Sequence, residues 1–125
     1  MVEPMMIISN NPMSKEKLES KYSFVYIEGS IIDVFRRVRD CVHQGHKLLT
    51  HPLVSSVKPN EIPYRTVVIS KNKESNIDIF SLTLIEEAIG TTEKFLRDFG
   101  IPNWNKTILE DFQLIDFDLV NSNIR

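Results

Sequence analysis

The chain has 125 residues, 42% of them hydrophobic and 26% charged, which is the size and composition of one soluble globular domain with a buried core. Its formal net charge of −2 argues against a general nucleic-acid binder, which needs a basic excess to meet phosphates. The single cysteine, Cys41, excludes an intrachain disulfide and fits a reduced, cytoplasmic chain.

No stretch approaches the roughly 18 consecutive apolar residues of a membrane span, so no membrane association is expected. The N-terminal MVEPMMIISNN is only weakly apolar and lacks a basic n-region, which argues against a signal peptide. Within it, residues 5–9 (MMIIS) form a short continuous apolar run, the pattern of a buried strand. Asn11 is placed to cap a helix that starts at Pro12 and runs to about Lys21. Met13, Lys17, Leu18 and Tyr22 are its expected inward side.

A second strand is predicted over 24–27 (FVYI), and Ser30 can cap the next helix after the Glu28-Gly29 turn. That helix, 31–44, has the clearest amphipathic period in the chain. Ile31, Val34, Phe35, Val38, Cys41 and Val42 share one face, and Asp33, Arg36, Arg37, Arg39 and Asp40 the other. Gly45 is positioned as a left-handed stop.

A short third strand is predicted over 47–50, and a fourth over 66–69 (TVVI), rich in β-branched residues. The polar link 71–76 leads to a long helix from Asp78 or Ser81 to Phe99. Its stripe comprises Leu84, Ile85, Ala88, Ile89, Thr92, Phe95, Leu96 and Phe99. Gly100-Ile101-Pro102 ends it. A last helix begins near Asn105, with Ile108, Leu109, Phe112, Ile115 and Leu119 inward and Glu110, Asp111, Asp116 and Asp118 outward; FQLIDFDLV at its end is equally readable as a strand. Trp104 is expected to pack the junction of these helices, where it buries much area.

The order β-α-β-α-β-loop-β-α-α predicts a single α/β domain over 1–125. The expected architecture is a small three-layer sandwich with a mostly parallel four-stranded sheet. Right-handed crossovers would bring the ends of the first three strands to one edge. Asn10, Asn11, Glu28, Ser30, Thr50 and His51 would gather there, where open α/β sheets usually bind ligands.

The segment between the third and fourth strands is unlike the rest. HKLLTHPLVSSVKPNEIPYR (46–65) carries His46, His51, Lys47, Lys58, Arg65 and three of the six prolines (Pro52, Pro59, Pro63). Residues 44–65 hold three formal positive charges against one negative, a net of +2, which leaves −4 on the remainder. A basic loop on an acidic body can attract an anionic small molecule or an acidic partner; the plainer reading is a solvated loop. The prolines reduce the entropy lost on binding, or merely stabilise a long connection. Asn10, Asn11, His46, Lys47, Thr50, His51, Ser55, Ser56, Lys58, Asn60 and Tyr64 are the candidate ligand-binding residues. Lys47 and Lys58 would supply charge, and Asn10 and Asn60 amide hydrogen bonds.

Other chemistries have less to stand on. Neither GxGxxG nor GxxxxGK[ST] occurs, so nucleotide binding has little support. Cys41, His43, His46 and His51 match no zinc-ligand spacing, and no metal is expected. Cys41 lies on an apolar helix face, where a buried thiol is inert. His46 or His51 could act as a general acid or base on an anionic metabolite. Ser55 or Ser56 would need a positioned base to act as nucleophile, and no nucleophile-elbow motif is present.

VRDCVHQGHKLLTHPLVSSVKPNEIPYRTVVIS (38–70) resembles the signature region of the GrdX family, and IISNNP and IGTTEKFL are similar to its flanking segments. The resemblance covers most of the chain and ends before the last twenty or so residues. The matching positions are Gly45, His46, Lys47, Thr50, His51, Pro52, Lys58, Pro59, Asn60, Glu61, Pro63 and Tyr64; Ile62 stands where the family usually has threonine. The resemblance implies a small protein encoded with the glycine, sarcosine and betaine reductase systems of amino-acid-fermenting anaerobes. An accessory role beside glycine reductase components is therefore expected. It carries over no catalytic residue and no cofactor. The chain has no CxxC, so a redox subunit is not expected. A binding protein, a small enzyme and a protein–protein adaptor remain the three readings.

Overall fold

The computed structural model describes residues 4–53 and 58–124. Ser55 and Ser56 lie outside the described residues.

Met5–Ser9 (β1) is the middle strand of three. Ser23–Tyr26 (β2) pairs with it in parallel, and Thr66–Ser70 (β3) pairs on the other side, antiparallel. A strand flanked on both edges and covered on both faces can be apolar throughout, as MMIIS is. The alternation of side chains then sorts them. Ile8, Val67 and Ile69 point to one face, and Ile7 and Val68 to the other.

Ile31–His43 (α2) and Ile79–Phe99 (α3) pack together over the first set. Phe35, Val38 and Ile85 are fully buried there; each such side chain contributes roughly 1.5–3 kcal/mol. Pro12–Leu18 (α1) and Lys106–Ile124 (α4) cover the second set through Leu18 and Val120.

The sheet corrects the expectation of four mostly parallel strands: it is three-stranded and mixed. Residues 47–50 add only one bridge, Leu48 opposite Ile69, with Leu49 N donating to Val68 O (2.9 Å) and Ser70 N to Lys47 O (2.8 Å). The cause lies in the connection. Parallel neighbours require a crossover over one face, usually a helix. The described parts of 51–65 contain no helix, and the chain returns along the sheet edge in the opposite direction. Thr66 therefore starts β3 beside Ser9, where β1 ends.

The helices differ from expectation where amphipathicity is weak. α1 stops at Leu18, not near Lys21, and buries Ser14 and Leu18 while Lys17 is exposed. α4 is helical through to Ile124, so FQLIDFDLV is not a strand. Its inward residues are Asp116 and Val120; Leu114 and Ile115 are exposed. α3 leaves Phe99 exposed. The strongly patterned α2 buries the face read from its period, and Ser30 and Asp33 form a capping box at its start. Gly45 ends it at φ +111°, and a Cβ there would overlap the Glu74 carbonyl, so glycine is required twice over.

Candidate functional site

β1 and β2 finish side by side, with Ser9 beside Tyr26, and β3 begins at the same edge. Three chain segments leave or enter the sheet there, and a cavity of about 170 Å³ lies among them. Its walls are Asn10 after β1, Gly29, Ser30 and Ile31 at the start of α2, and Leu96 and Ile101 around the end of α3. Pro59, Asn60, Ile62, Pro63 and Tyr64 of the loop complete them. A crevice at the carboxyl end of a strand whose neighbours diverge to either side is a common ligand position in α/β sheets.

The loop is fastened by long-range hydrogen bonds. Asn10 Nδ2 donates to Gly29 O (3.0 Å) and Pro63 O (2.8 Å), while its Oδ1 accepts from Arg65 N (2.9 Å). Trp104 Nε1 donates to Glu61 O (2.7 Å), and its ring meets Phe112 edge-on at 5.4 Å. Gln113 Nε2 donates to the Tyr64 hydroxyl (3.1 Å). Asn60 Nδ2 donates to Gly100 O (3.0 Å).

Among the buried side-chain polar atoms of the described wall residues, one has no partner. All the amide atoms of Asn10 are engaged, and the Ser30 hydroxyl both donates to Asp33 Oδ2 and accepts from Asp33 N. Asn60 is 6% exposed, and its Oδ1 has no partner among the described residues. A shielded acceptor left unbonded costs about 1–3 kcal/mol. Among the described residues, no Asp, Glu, Lys, Arg or His lines this cavity.

On the other face of the same strand ends lies a polar clasp. Asp116, buried on α4, accepts from Thr66 N (3.1 Å), Thr66 Oγ1 (2.6 Å) and Asn11 Nδ2 (2.9 Å). Ser9 and Ser14 hydroxyls each lie within 2.9 Å of Thr66 Oγ1. Asn11 also caps α1 by accepting from Met13 N (2.9 Å). Burial pushes the Asp116 carboxyl above the usual carboxylate range; the bonds from Thr66 and Asn11 oppose that without cancelling it. Arg65 is 2% exposed, with Nη1 donating to Tyr64 O (3.2 Å); its burial holds its pKa below the usual arginine value, against the opposing pull of Asp116.

The candidate residues named from sequence thus divide. Asn10, Asn60 and Tyr64 meet at the cavity, and Asn11 faces the clasp. Lys58 lies at a second depression of about 290 Å³ with Lys94, Phe95, Asp98 and Phe99, its Nζ 5.5 Å from the Phe99 ring centre. His46 and Lys47 sit at the far edge of the sheet: His46 Nδ1 bonds Ser70 O (2.7 Å), and Lys47 Nζ is 3.8 Å from Glu74. Thr50 Oγ1 accepts from Val68 N (3.1 Å) on the β3 edge, and the exposed His51 accepts from Leu53 N (3.0 Å). Neither histidine lines either cavity. Cys41 is buried, and that burial raises its thiol pKa.

Several wall and clasp residues were not singled out from sequence: Ile62, Leu96, Ile101, Thr66 and Asp116. Ile62 offered a signal. An isoleucine amid Glu61, Pro63 and Tyr64 in a polar loop needs a place to bury, and it is 1% exposed. Asp116 offered none, since its partners Asn11 and Thr66 are 105 and 50 residues away. No group of three or more His, Cys, Asp or Glu among the described residues could hold a metal ion, and none of the described helices is long and apolar enough to cross a membrane.

A family model described as GrdX-like protein matches residues 6–125. The match therefore includes the last twenty or so residues, which the resemblance in the sequence does not cover. Neither a curated protein nor a solved structure matches the chain. The chain belongs to the GrdX-like family.

Proposed function

We propose that this member of the GrdX-like family is an accessory binding protein of the glycine (sarcosine/betaine) reductase system. Its ligand is a small molecule, held at the carboxyl edge of β1 beneath residues 59–64. The observation that carries this reading is the cavity itself, walled on the loop side by Pro59, Asn60, Ile62, Pro63 and Tyr64. Pro59 and Pro63 restrict the roof before any ligand arrives, which lowers the entropy lost on binding. No reaction is assigned, because Tyr64 is the sole titratable side chain among the described residues of the wall.

The test is a thermal-shift screen with neutral, carboxylated and phosphorylated metabolites of up to about ten non-hydrogen atoms, a size set by comparison with benzene filling about 150 Å³. A ligand at 100 times its Kd stabilises the native state by about 2.7 kcal/mol. Such a shift is expected in the wild type and absent in Ile62→Phe, which extends a wall side chain into the cavity. A screen in which no compound shifts the wild type, or in which Ile62→Phe shifts equally, overturns the reading.

A second reading, an acidic partner docked on the loop, is favoured by one observation. Lys58 and Lys94 flank Phe95 and Phe99 in the second depression, with Phe99 64% exposed. Binding to a glycine reductase component that weakens with salt and is lost in Lys58→Glu would support it.

A further inference from the structure

The sheet has one bare edge, along β2. We infer that this edge joins two copies of the chain, with β2 of one paired antiparallel to β2 of the other across a two-fold axis at Val25.

The register decides which backbone groups are free. Ile27 N donates to Ser9 O (2.8 Å) and Val25 stands opposite Ile8, so Ser23, Val25 and Ile27 turn their amides and carbonyls toward β1. Phe24 and Tyr26, which alternate with them, turn theirs away from the sheet. Those groups have no hydrogen-bond partner among the described residues, since β2 has β1 as its only neighbour there. The opposite edge is different. Residues 47–49 lie along β3, with Leu49 N donating to Val68 O and Ser70 N to Lys47 O. Proteins commonly guard an edge strand with a charge, a proline or a bulge. Ser23–Tyr26 (SFVY) contains neither charge nor proline.

A second copy suits this edge because the edge is self-complementary. Exposed Lys21 precedes the strand and exposed Glu28 follows it, and neither is in an ion pair among the described residues. Antiparallel pairing about Val25 sets Phe24 opposite Tyr26 of the second copy, and Tyr26 opposite its Phe24. Each such pair exchanges two N–H···O bonds through the outward groups. Lys21 of each copy then comes beside Glu28 of the other, whereas a parallel pairing would put like charges together. On the α1 face, Phe24 packs in the cluster with Leu18, and the Tyr26 ring lies 5.0 Å from Lys15 Nζ. The pairing therefore sets aromatic beside aromatic on that face, a favourable cross-strand contact. It also closes at two copies, because a two-fold contact uses the same surface on each. The two three-stranded sheets become one of six strands, and residues 47–49 flank it at both ends.

The test uses the full chain. Sedimentation at concentrations up to about 1 mM is expected to show a monomer–dimer equilibrium. Hydrogen exchange at the Phe24 and Tyr26 amides is expected to slow as the dimer forms. Lys21→Glu and Glu28→Lys each set like charges together at both ends of the pairing, and each should weaken the dimer about tenfold. Mixed in equal amounts, the two variants are expected to recover the wild-type affinity, because opposite charges then meet at both ends. Tyr26→Pro removes an outward N–H and no bond to β1, so it should be folded and monomeric; if it does not fold, the charge-reversal pair still decides. A wild type that stays monomeric overturns the inference. So does a dimer whose Phe24 and Tyr26 amides exchange freely, charge variants that dimerise like the wild type, or a mixture no tighter than either variant alone. None of these outcomes bears on the cavity, which the metabolite screen decides.

Discussion

Asn10 and Asn11 are neighbours in the chain, yet they serve opposite faces of the sheet. Asn11 turns toward α4, where Ser9, Asn11, Ser14, Thr66 and Asp116 hydrogen-bond one another and the backbone at Met13 N and Gln113 O completes the bonds of Asn11. Asn10 turns toward α2 and the loop, where its amide is saturated and it borders the cavity. A closed polar network specifies and rigidifies. The contrast separates residues that hold the edge together from those that border the cavity, although all of them are polar and close in space.

The largest expected effect comes from opening the clasp. Asp116→Ala leaves Thr66 N and Thr66 Oγ1 without this acceptor and Asn11 Nδ2 with Gln113 O alone, and with each buried donor left unpartnered costing about 1–3 kcal/mol the expected loss is about 3 kcal/mol. Urea unfolding measures it; a loss under about 1 kcal/mol would mean the clasp is solvated and not a closed network.

Asn10→Ala tests the wall common to the edge and the cavity. Gly29 O, Pro63 O and Arg65 N each lose their partner. The expected cost is about 2 kcal/mol, and ligand-dependent stabilisation should fall with it because the roof is no longer tied down. Full retention of the ligand shift would place binding elsewhere.

The smallest effect is a pH slope. The folded-state pKa of Asp116 is raised from its ordinary value of 3.8. Between that value and the folded one, the native state holds a proton that the unfolded chain has released, so stability falls as pH rises through the window. The slope is at most about 1.4 kcal/mol per pH unit. Asp116→Asn removes it. Urea midpoints followed from about pH 4 to about pH 7 should therefore decline more steeply in the wild type than in the variant. Parallel profiles would show that the carboxyl ionises normally.

Legibility tracked the strength of local pattern. The α2 stripe, its Ser30 cap, the Asn11-Pro12 start of α1 and the Gly45 stop are all set within a few residues, and each is present. Residues 47–50 have the composition of a strand but pair through a single bridge. The absence of a helical pattern in 51–65 is the sequence signal for an antiparallel return. The inward face of α4 departs from its sequence pattern because the stripe is weak, and Asp116, by type, belongs outside. Of the candidate binding residues, the position of Asn60 against the end of α3 depends on a contact spanning 40 residues.

What the chain determines locally are its caps, its stops, the buried run of β1 and the amphipathic face of α2, because each is decided by side chains and backbone dihedrals within a turn or two. The direction of β3, the inward turn of Asp116 and the hollow beneath the loop were decided only by assembly. Asn10 must reach Pro63, and Asn11 must reach Asp116, before either face of the strand ends exists. Such pairings depend on which groups remain unsatisfied once the helices have packed.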